Sequence, residues 1–334
     1  MSGSDFEARL RELEHARQEP MPRTLAPMLA TLHDEVFRDG EWLFERKFDG
    51  IRLLVFRSGN NVELYTRNGK LRNKHFPELV EALVAQRCGR FVLDGEVVAF
   101  DGRRTSFARL QQRAGIADPD AARNSGIAIH FYVFDAPWCH GYDLRRVPLR
   151  RRKAVVRDLL DYSGGLHFSA HRNEDGAGLL EQARRKGWEG IIAKRADSCY
   201  RGGRSKRWLK IKHQAGQELV IGGFTDPEGA RTGFGALLVG YYEGDALRYA
   251  GRVGTGFDTD ELARLHRQLT AIECDTPPFA DPPDAPGMHW VTPERVAAIA
   301  FTEWTADGKL RHPVYQGERD DKDPRDVVRE VAGA

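Results

Sequence analysis

Three pairs of charged residues, each two positions apart, give this chain its chemical character: Glu45 and Lys47 in EWLFERKFDG, Asp94 and Glu96 in RFVLDGEVVAF, and Lys210 and Lys212 in WLKIK. In an extended strand successive side chains alternate between faces, so each pair shares one face. Trp42, Phe44, Arg46 and Phe48 then take the face opposite Glu45 and Lys47, and Leu209 and Ile211 turn towards a core. Carboxylates and lysines converge on a shared surface. A lysine that attacks an electrophile must be neutral, yet with an ordinary ammonium pKa only about one molecule in two thousand is neutral at pH 7. Neighbouring cations favour the neutral form. Lys210, Lys212 and a bound Mg²⁺ or Mn²⁺ would supply that field, and the same charges would neutralise a triphosphate attacked at its α-phosphorus. Asp94, Glu96 and Glu189 are suitable hard oxygen ligands for the metal.

The elements that must position these groups fall into two regions. With 334 residues, 41% hydrophobic and 30% charged, the chain suits two packed domains rather than one core or a disordered chain. Phe6, Leu10 and Leu13 stand at helical spacing over residues 5–18, which predicts a short amphipathic helix on the surface and an N-terminal extension over 1–20. From 21 to 213, runs such as IRLLVF, VELYTR and IAIHFYVFD alternate with helical stretches such as FPELVEALVAQ and AGLLEQARRKG. That pattern predicts a mixed α/β (α+β) domain. Turn signals at SGNN and Asn68-Gly69 make its sheets at least partly antiparallel, not doubly wound. Glycine-punctuated strands with a helix near DTDELARLHRQLTA predict a small β-barrel over 214–334, and five prolines in DTPPFADPPDAPG predict an extended loop. Cys88, Cys139, Cys199 and Cys274 form no C-x-x-C pair and are expected to be reduced. With neither an apolar span nor a secretory start, the chain is expected in the prokaryotic cytosol, without membrane contact. A net charge of +2 says little about partners, so local clusters matter more.

Lys47-Phe48-Asp49-Gly50-Ile51-Arg52 resembles the K-x-D-G-x-R signature of covalent nucleotidyltransferases, which include ATP-dependent DNA ligases, RNA ligases and capping enzymes. Arg67 in YTRNG, Asp94-Gly95-Glu96, Phe134 in FYVFD, Glu189-Gly190 with Lys194, Lys210 with Lys212, and Arg319, Asp321 and Lys322 in RDDK follow in order. PMLATL, YRGGRSKRWLKIK, ELVIGGFTDPEG and GKLRHPVYQG are similar to the ligase module of bacterial end-joining enzymes of the LigD type. The resemblance spans roughly residues 25 to 322 and has no room for their polymerase and phosphoesterase modules.

The resemblance implies an adenylation domain followed by an OB-fold barrel, acting with ATP and Mg²⁺ or Mn²⁺ on nicked double-stranded DNA as a nucleoid-associated monomer. Lys47 would carry AMP, with Asp49 and Arg52 beside it in the motif. Phe134 would stack on adenine, Glu45 would lie near the base, and Lys194 would join the nucleotide site. Glu96 and Glu189 would serve the ribose or the metal, and Lys210 and Lys212 the α-phosphate. Arg52 and Arg67 would bind the nick phosphate or the nucleotide sugar. Arg319, Asp321 and Lys322 would orient the departing pyrophosphate. Ku and an end-joining polymerase enter as partners through the resemblance alone.

Blander readings stand beside these. Phe134 lies in an aromatic strand where core packing is the usual explanation. RRVPLRRRK at 145–153 is as consistent with a solvated face as with a DNA surface, whereas the eight basic residues among 194–212 fit an active-site wall and DNA track better. An RNA ligase, a GTP-using capping enzyme and a silent end-binding module are the rival functions.

Overall fold

The strands expected around the paired carboxylates and lysines form in a computed structural model that describes residues 3–213, 215–227, 229 and 232–331. In chain order the first part runs α1 (Gly3–Glu12), β1 (Met28–Leu32), β2 (Arg38–Lys47), β3 (Ile51–Ser58), β4 (Asn61–Thr66), α2 (Pro77–Val84) and β5 (Arg90–Asp101). It continues through α3 (Phe107–Ala114), β6 (Ile129–Cys139), α4 (Leu149–Leu159), β7 (His171–Asp175), α5 (Gly176–Lys186), β8 (Gly190–Arg195) and β9 (Gly203–Lys212), with shorter pieces between. These residues belong to one compact unit, which ends at His213; a second ends at Val331.

Two sheets build the first unit. One orders β6, β5, β3 and β4 antiparallel and is extended at the β6 edge by Tyr142–Asp143 and Arg17–Gln18. The other orders β7, β2, β8, β9 and β1, antiparallel except where β9 lies beside β1. Each buries one face under helices. Leu53, Val55, Leu93, Val97, Phe131 and Val133 of the first sheet join Leu79, Leu110 and Val155 from α2, α3 and α4. Phe44, Ile191, Ala193, Leu209 and Ile211 of the second join Leu179, Leu180 and Ala183 of α5. The uncovered faces meet each other, with Phe134 of β6 against Trp208 of β9. That meeting places the polar side chains.

One expectation needs correction here, and one open reading is decided in part. The N-terminal helix stops at Glu12, and Arg17 and Gln18 pair with Asp143 and Tyr142 instead of continuing it. It is the amphipathic surface helix expected, with Phe6 and Leu10 buried in the main core and Ala8, Arg11 and Glu12 exposed. The charge run at 145–153 is also not a solvated face throughout: it leads into α4, where Arg152 and Lys153 are fully buried. Arg152 grips both oxygens of buried Asp135 at 2.8 Å and reaches the carbonyls of Val147 and Ser198. A guanidinium can be buried only when its charge and its donors are both matched.

The second unit holds β10 (Gly216–Thr225), β11 (Leu237–Glu243), β12 (Ala246–Val253), α6 (Thr259–Thr270), β13 (Met288–Ala300) and β14 (Val314–Glu318). Its antiparallel sheet runs β12, β11, β10, β13, and both β14 and Glu273–Cys274 add to β13. Helix α6 is capped by Asp258 and buries Leu262, Leu265 and Leu269 against Leu219, Ile221 and Val239. No pair that would close this sheet into a barrel is seen among the described residues. The proline-rich stretch is a loop, touching the sheet through an isolated bridge between Phe279 and Leu247. Among the described residues no helix is long and apolar enough to cross a membrane.

Replacing Arg152 tests the buried pair. Arg152→Met leaves Asp135 charged and alone, and urea unfolding should show a loss of about 3–5 kcal/mol. Adding Asp135→Asn should recover part of it; equal losses in the single and double variants would mean that the pair contributes only shape.

Candidate active site

Register fixes the centre of the site. Gly190 on β8 lies opposite Lys47 on β2 and opposite Lys212 on β9, so the two lysines flank it in one row across three strands. A Cβ at Gly190 would come within 2.2 Å of the Ile211 carbonyl oxygen, so only glycine lets β9 approach this closely. Glu189, at the turn into β8, reaches both neighbours: Lys47 Nζ donates to its Oε2, and Lys212 Nζ stands 3.3 Å from its Oε1. Burial pushes the Glu189 carboxyl up, but the two ammonium groups outweigh it and bring the group down to about 2. The carboxylate is a fixed anion that orients the Lys47 amine. Gly50, at the turn after Lys47, is equally constrained, since a Cβ there would lie 2.2 Å from the Val97 carbonyl oxygen. The half-buried Asp49 occupies the same turn.

Two residues along the same strands stands a second charged group. Glu45, Ile192 and Lys210 form the next row, and Leu43, Lys194 and Trp208 the one after. Glu45 is buried, accepting from Ser169 Oγ at 2.8 Å and from Lys194 Nζ at 3.0 Å on Oε2. Lys153 Nζ forms an ion pair with Oε1 at 2.9 Å, although that oxygen accepts no well-directed hydrogen bond. Burial favours the neutral acid, and Lys153 and Lys194 overcome it, holding the carboxyl below its usual range. Burial also pushes the Lys194 ammonium down, to about 8, against the pull of Glu45.

The opposing sheet contributes Arg52, Asp94, Glu96 and Phe134. Asp94 is fully buried, and Arg52 grips it through Nε at 2.5 Å and Nη2 at 2.6 Å, while the Tyr200 hydroxyl donates to Oδ2 at 2.6 Å. Burial alone would depress the Arg52 guanidinium, but Asp94 raises it above its ordinary value. Asp94 is therefore an anchor for Arg52, with both of its oxygens engaged by Arg52 and one also by Tyr200. Asp94, Glu96 and Glu189 do not come together as a cage. Among the described residues no three His, Cys, Asp or Glu side chains are grouped to hold a metal ion. Phe134 is 7% exposed, with the Arg52 guanidinium 4.5 Å and the Lys194 ammonium 4.1 Å from the centre of its ring.

Glu96, on β5 of the same sheet, and Arg67, in the turn that follows β4, are half-buried. Arg67 Nη2 and Trp208 Nε1 are buried donors without a partner among the described residues, which suits a site built for a polar ligand. Arg319, Asp321 and Lys322 belong to the second unit. There Arg319 and Asp321 pair at 2.9 and 3.0 Å, and Lys322 stands 3.6 Å from Glu218. Sequence reasoning missed Trp208, Lys153, Ser169 and Tyr200. Trp208 was within reach of it, standing two residues before Lys210 on the same face; the other three join the site only through tertiary packing.

The depressed Glu189 carboxyl makes a stability prediction with a definite sign. Its charged form is favoured by folding, so its contribution is complete above the ordinary value of 4.5 and is lost as pH falls through about 2. Urea unfolding followed across that window should lose stability less steeply in Glu189→Gln than in the parent chain; parallel curves would show that the lysines do not hold this carboxylate.

Comparison with known proteins accounts for this geometry. Residues 25–212 match the family model described as the ATP dependent DNA ligase domain, and residues 230–322 the ATP dependent DNA ligase C terminal region. The multifunctional non-homologous end joining protein LigD of Pseudomonas aeruginosa is 38% identical over 93% of this chain and 37% of its own length. The LigD of Mycolicibacterium smegmatis is 36% identical over 96% of this chain and 41% of its own length, so the chain spans about two fifths of these relatives. DNA ligase C1 of Mycolicibacterium smegmatis is 31% identical, with 91% of this chain and 92% of that protein covered. A solved structure of mycobacterial DNA ligase D complexed with ATP and MES superposes with a TM-score of 0.65 at 35% identity, covering 92% of this chain and 98% of the other. The lysine row, the carboxylate between its ammonium groups and these matches lead to one conclusion: the chain belongs to the ATP-dependent DNA ligase family.

Proposed function

We propose that the chain seals nicks in double-stranded DNA, between a 5′-phosphate and a 3′-hydroxyl, by way of an adenylate carried on Lys47. The observation that supports this most directly is the Lys47–Glu189–Lys212 contact, which orients one amine beside a second cation. In the first step the Lys47 Nζ lone pair attacks the α-phosphorus of ATP; a P–N bond forms, the bond to the β-phosphate oxygen breaks, and pyrophosphate departs. Lys212 and Lys210 offer positive charge to the α-phosphate as it crowds. The 5′-phosphate of the nick then attacks the same phosphorus and frees Lys47, and the 3′-hydroxyl displaces AMP. Arg52, held in place by Asp94, serves the nick phosphate or the sugar. Mg²⁺ or Mn²⁺ would neutralise the triphosphate during attack, with Glu96 and Glu189 as the carboxylates of this face that could serve it.

A place in non-homologous end joining extends the names of the LigD relatives to this chain, and Ku and an end-joining polymerase are proposed as partners on the family resemblance alone. Arg319 and Lys322 are proposed to assist the first step only.

Incubation with α-labelled ATP and Mg²⁺, followed by a denaturing gel, tests the chemistry. The parent chain should take up an acid-labile label from ATP and not from GTP, and Lys47→Ala should lower both labelling and sealing of nicked DNA by at least about a thousandfold. Arg319→Ala should label poorly yet seal a nick that is already adenylated. A parent chain that takes no label even after pyrophosphate treatment would sink the proposal.

A further inference from the structure

We propose that Lys153 is a positioning residue for nucleotide binding, acting on the site from behind through Glu45 and Lys194. This rests on the reading of that face as the ATP site. Lys153 projects from α4 and its side chain is only 1% exposed. It is bound on three sides: the Glu45 carboxylate at 2.9 Å, the Ser169 carbonyl at 2.6 Å and the Phe168 ring at 4.5 Å. Ser169 is thereby used twice, since its hydroxyl donates to the other oxygen of Glu45. The carboxylate is clamped from both sides and cannot turn. Lys194, the other ammonium on that carboxylate, lies 4.1 and 4.2 Å from the centres of the Phe134 and Trp208 rings, on the face shared with Lys47.

The fold does not need the second cation for neutrality. Glu45 and Lys194 alone would make a balanced buried pair, and a buried ammonium is costly unless it is matched. Lys153 adds a positive charge that this pair leaves unmatched. The surplus has two effects. It keeps Glu45 from drawing Lys194 fully to itself, and it makes the pocket attractive to an anion such as a nucleoside triphosphate.

The charged groups facing Lys194 come from every neighbouring element: Glu45 on β2, Lys153 on α4, Asp135 on β6, Arg52 over the same Phe134 ring, and His171 opposite Glu45 on β7. Burial, with repulsion from Lys153, brings the Lys194 ammonium down to about 8, so its charge is present below that pH and lost above it. Removing Lys153 relieves the repulsion and moves the loss to higher pH.

The test uses the full chain, α-labelled ATP and the variants Lys153→Met, Lys153→Arg and Ser169→Ala. Lys153→Met should raise the KM for ATP in self-adenylation by about tenfold, with the rate at saturation changed far less. The alkaline loss of ATP binding expected as Lys194 loses its proton should move up by about one pH unit. Lys153→Arg should restore most of both, and Ser169→Ala should shift both in the same direction by less. A merely structural Lys153 would lower the melting temperature and leave the KM and the pH midpoint where they were, which would overturn the inference while the ligase reading stood. If Lys153→Met fails to fold, a Ser169→Ala chain with parental KM and pH midpoint overturns it equally. A parent chain that takes no label after pyrophosphate treatment takes both readings down together.

Discussion

The structure depends on one close approach, that of β9 to β8 at Gly190. With a side chain excluded there, Lys47 and Lys212 come to lie either side of a single backbone position, and Glu189 can hold both. The covered face serves the same end. Phe44, Ile191, Ala193, Leu209 and Ile211 are the alternate residues of the same strands, and α5 presses on them. Apolar packing on one face thus fixes the register of charges on the other, because a slip of one residue would send every lysine into the core.

How far this was legible in the sequence follows from which physics is local. Alternation along a strand is local, so the shared face of Glu45 with Lys47, and of Lys210 with Lys212 opposite Leu209 and Ile211, could be read directly. So could the antiparallel character, the helices at α2, α5 and α6, and the proline-rich loop. Pairing across the fold is not local. Nothing in RRVPLRRRK distinguishes Arg152 and Lys153 from their exposed neighbours until Asp135 and Glu45 are brought to them. The sequence neighbours of Asp94 do not reveal Arg52 and Tyr200, and those of Phe134 do not reveal the cations beside its ring, which come from other strands. The end of the N-terminal helix was not legible for the same reason: Arg17 and Gln18 leave it to pair with Asp143 and Tyr142, which lie far along the chain.

The burial of the charges also separates the proposed ligase from an end-binding module that never seals. A protein that only grips DNA needs cations where phosphates can reach them, as at Arg201, Arg204, Lys206 and Arg207, which are exposed. Lys47, Lys212, Lys194 and Lys153 are at most 19% exposed, and each pair surrounds one carboxylate, leaving one more cation than anion in both clusters. Holding a surplus charge away from water costs stability, and electrostatic attraction to the DNA backbone gains nothing from such burial. A reaction at phosphorus does gain, because a fixed cation in a site of low dielectric stabilises developing negative charge far more than it would in water. The surplus therefore fits chemistry at a phosphate better than adhesion to one.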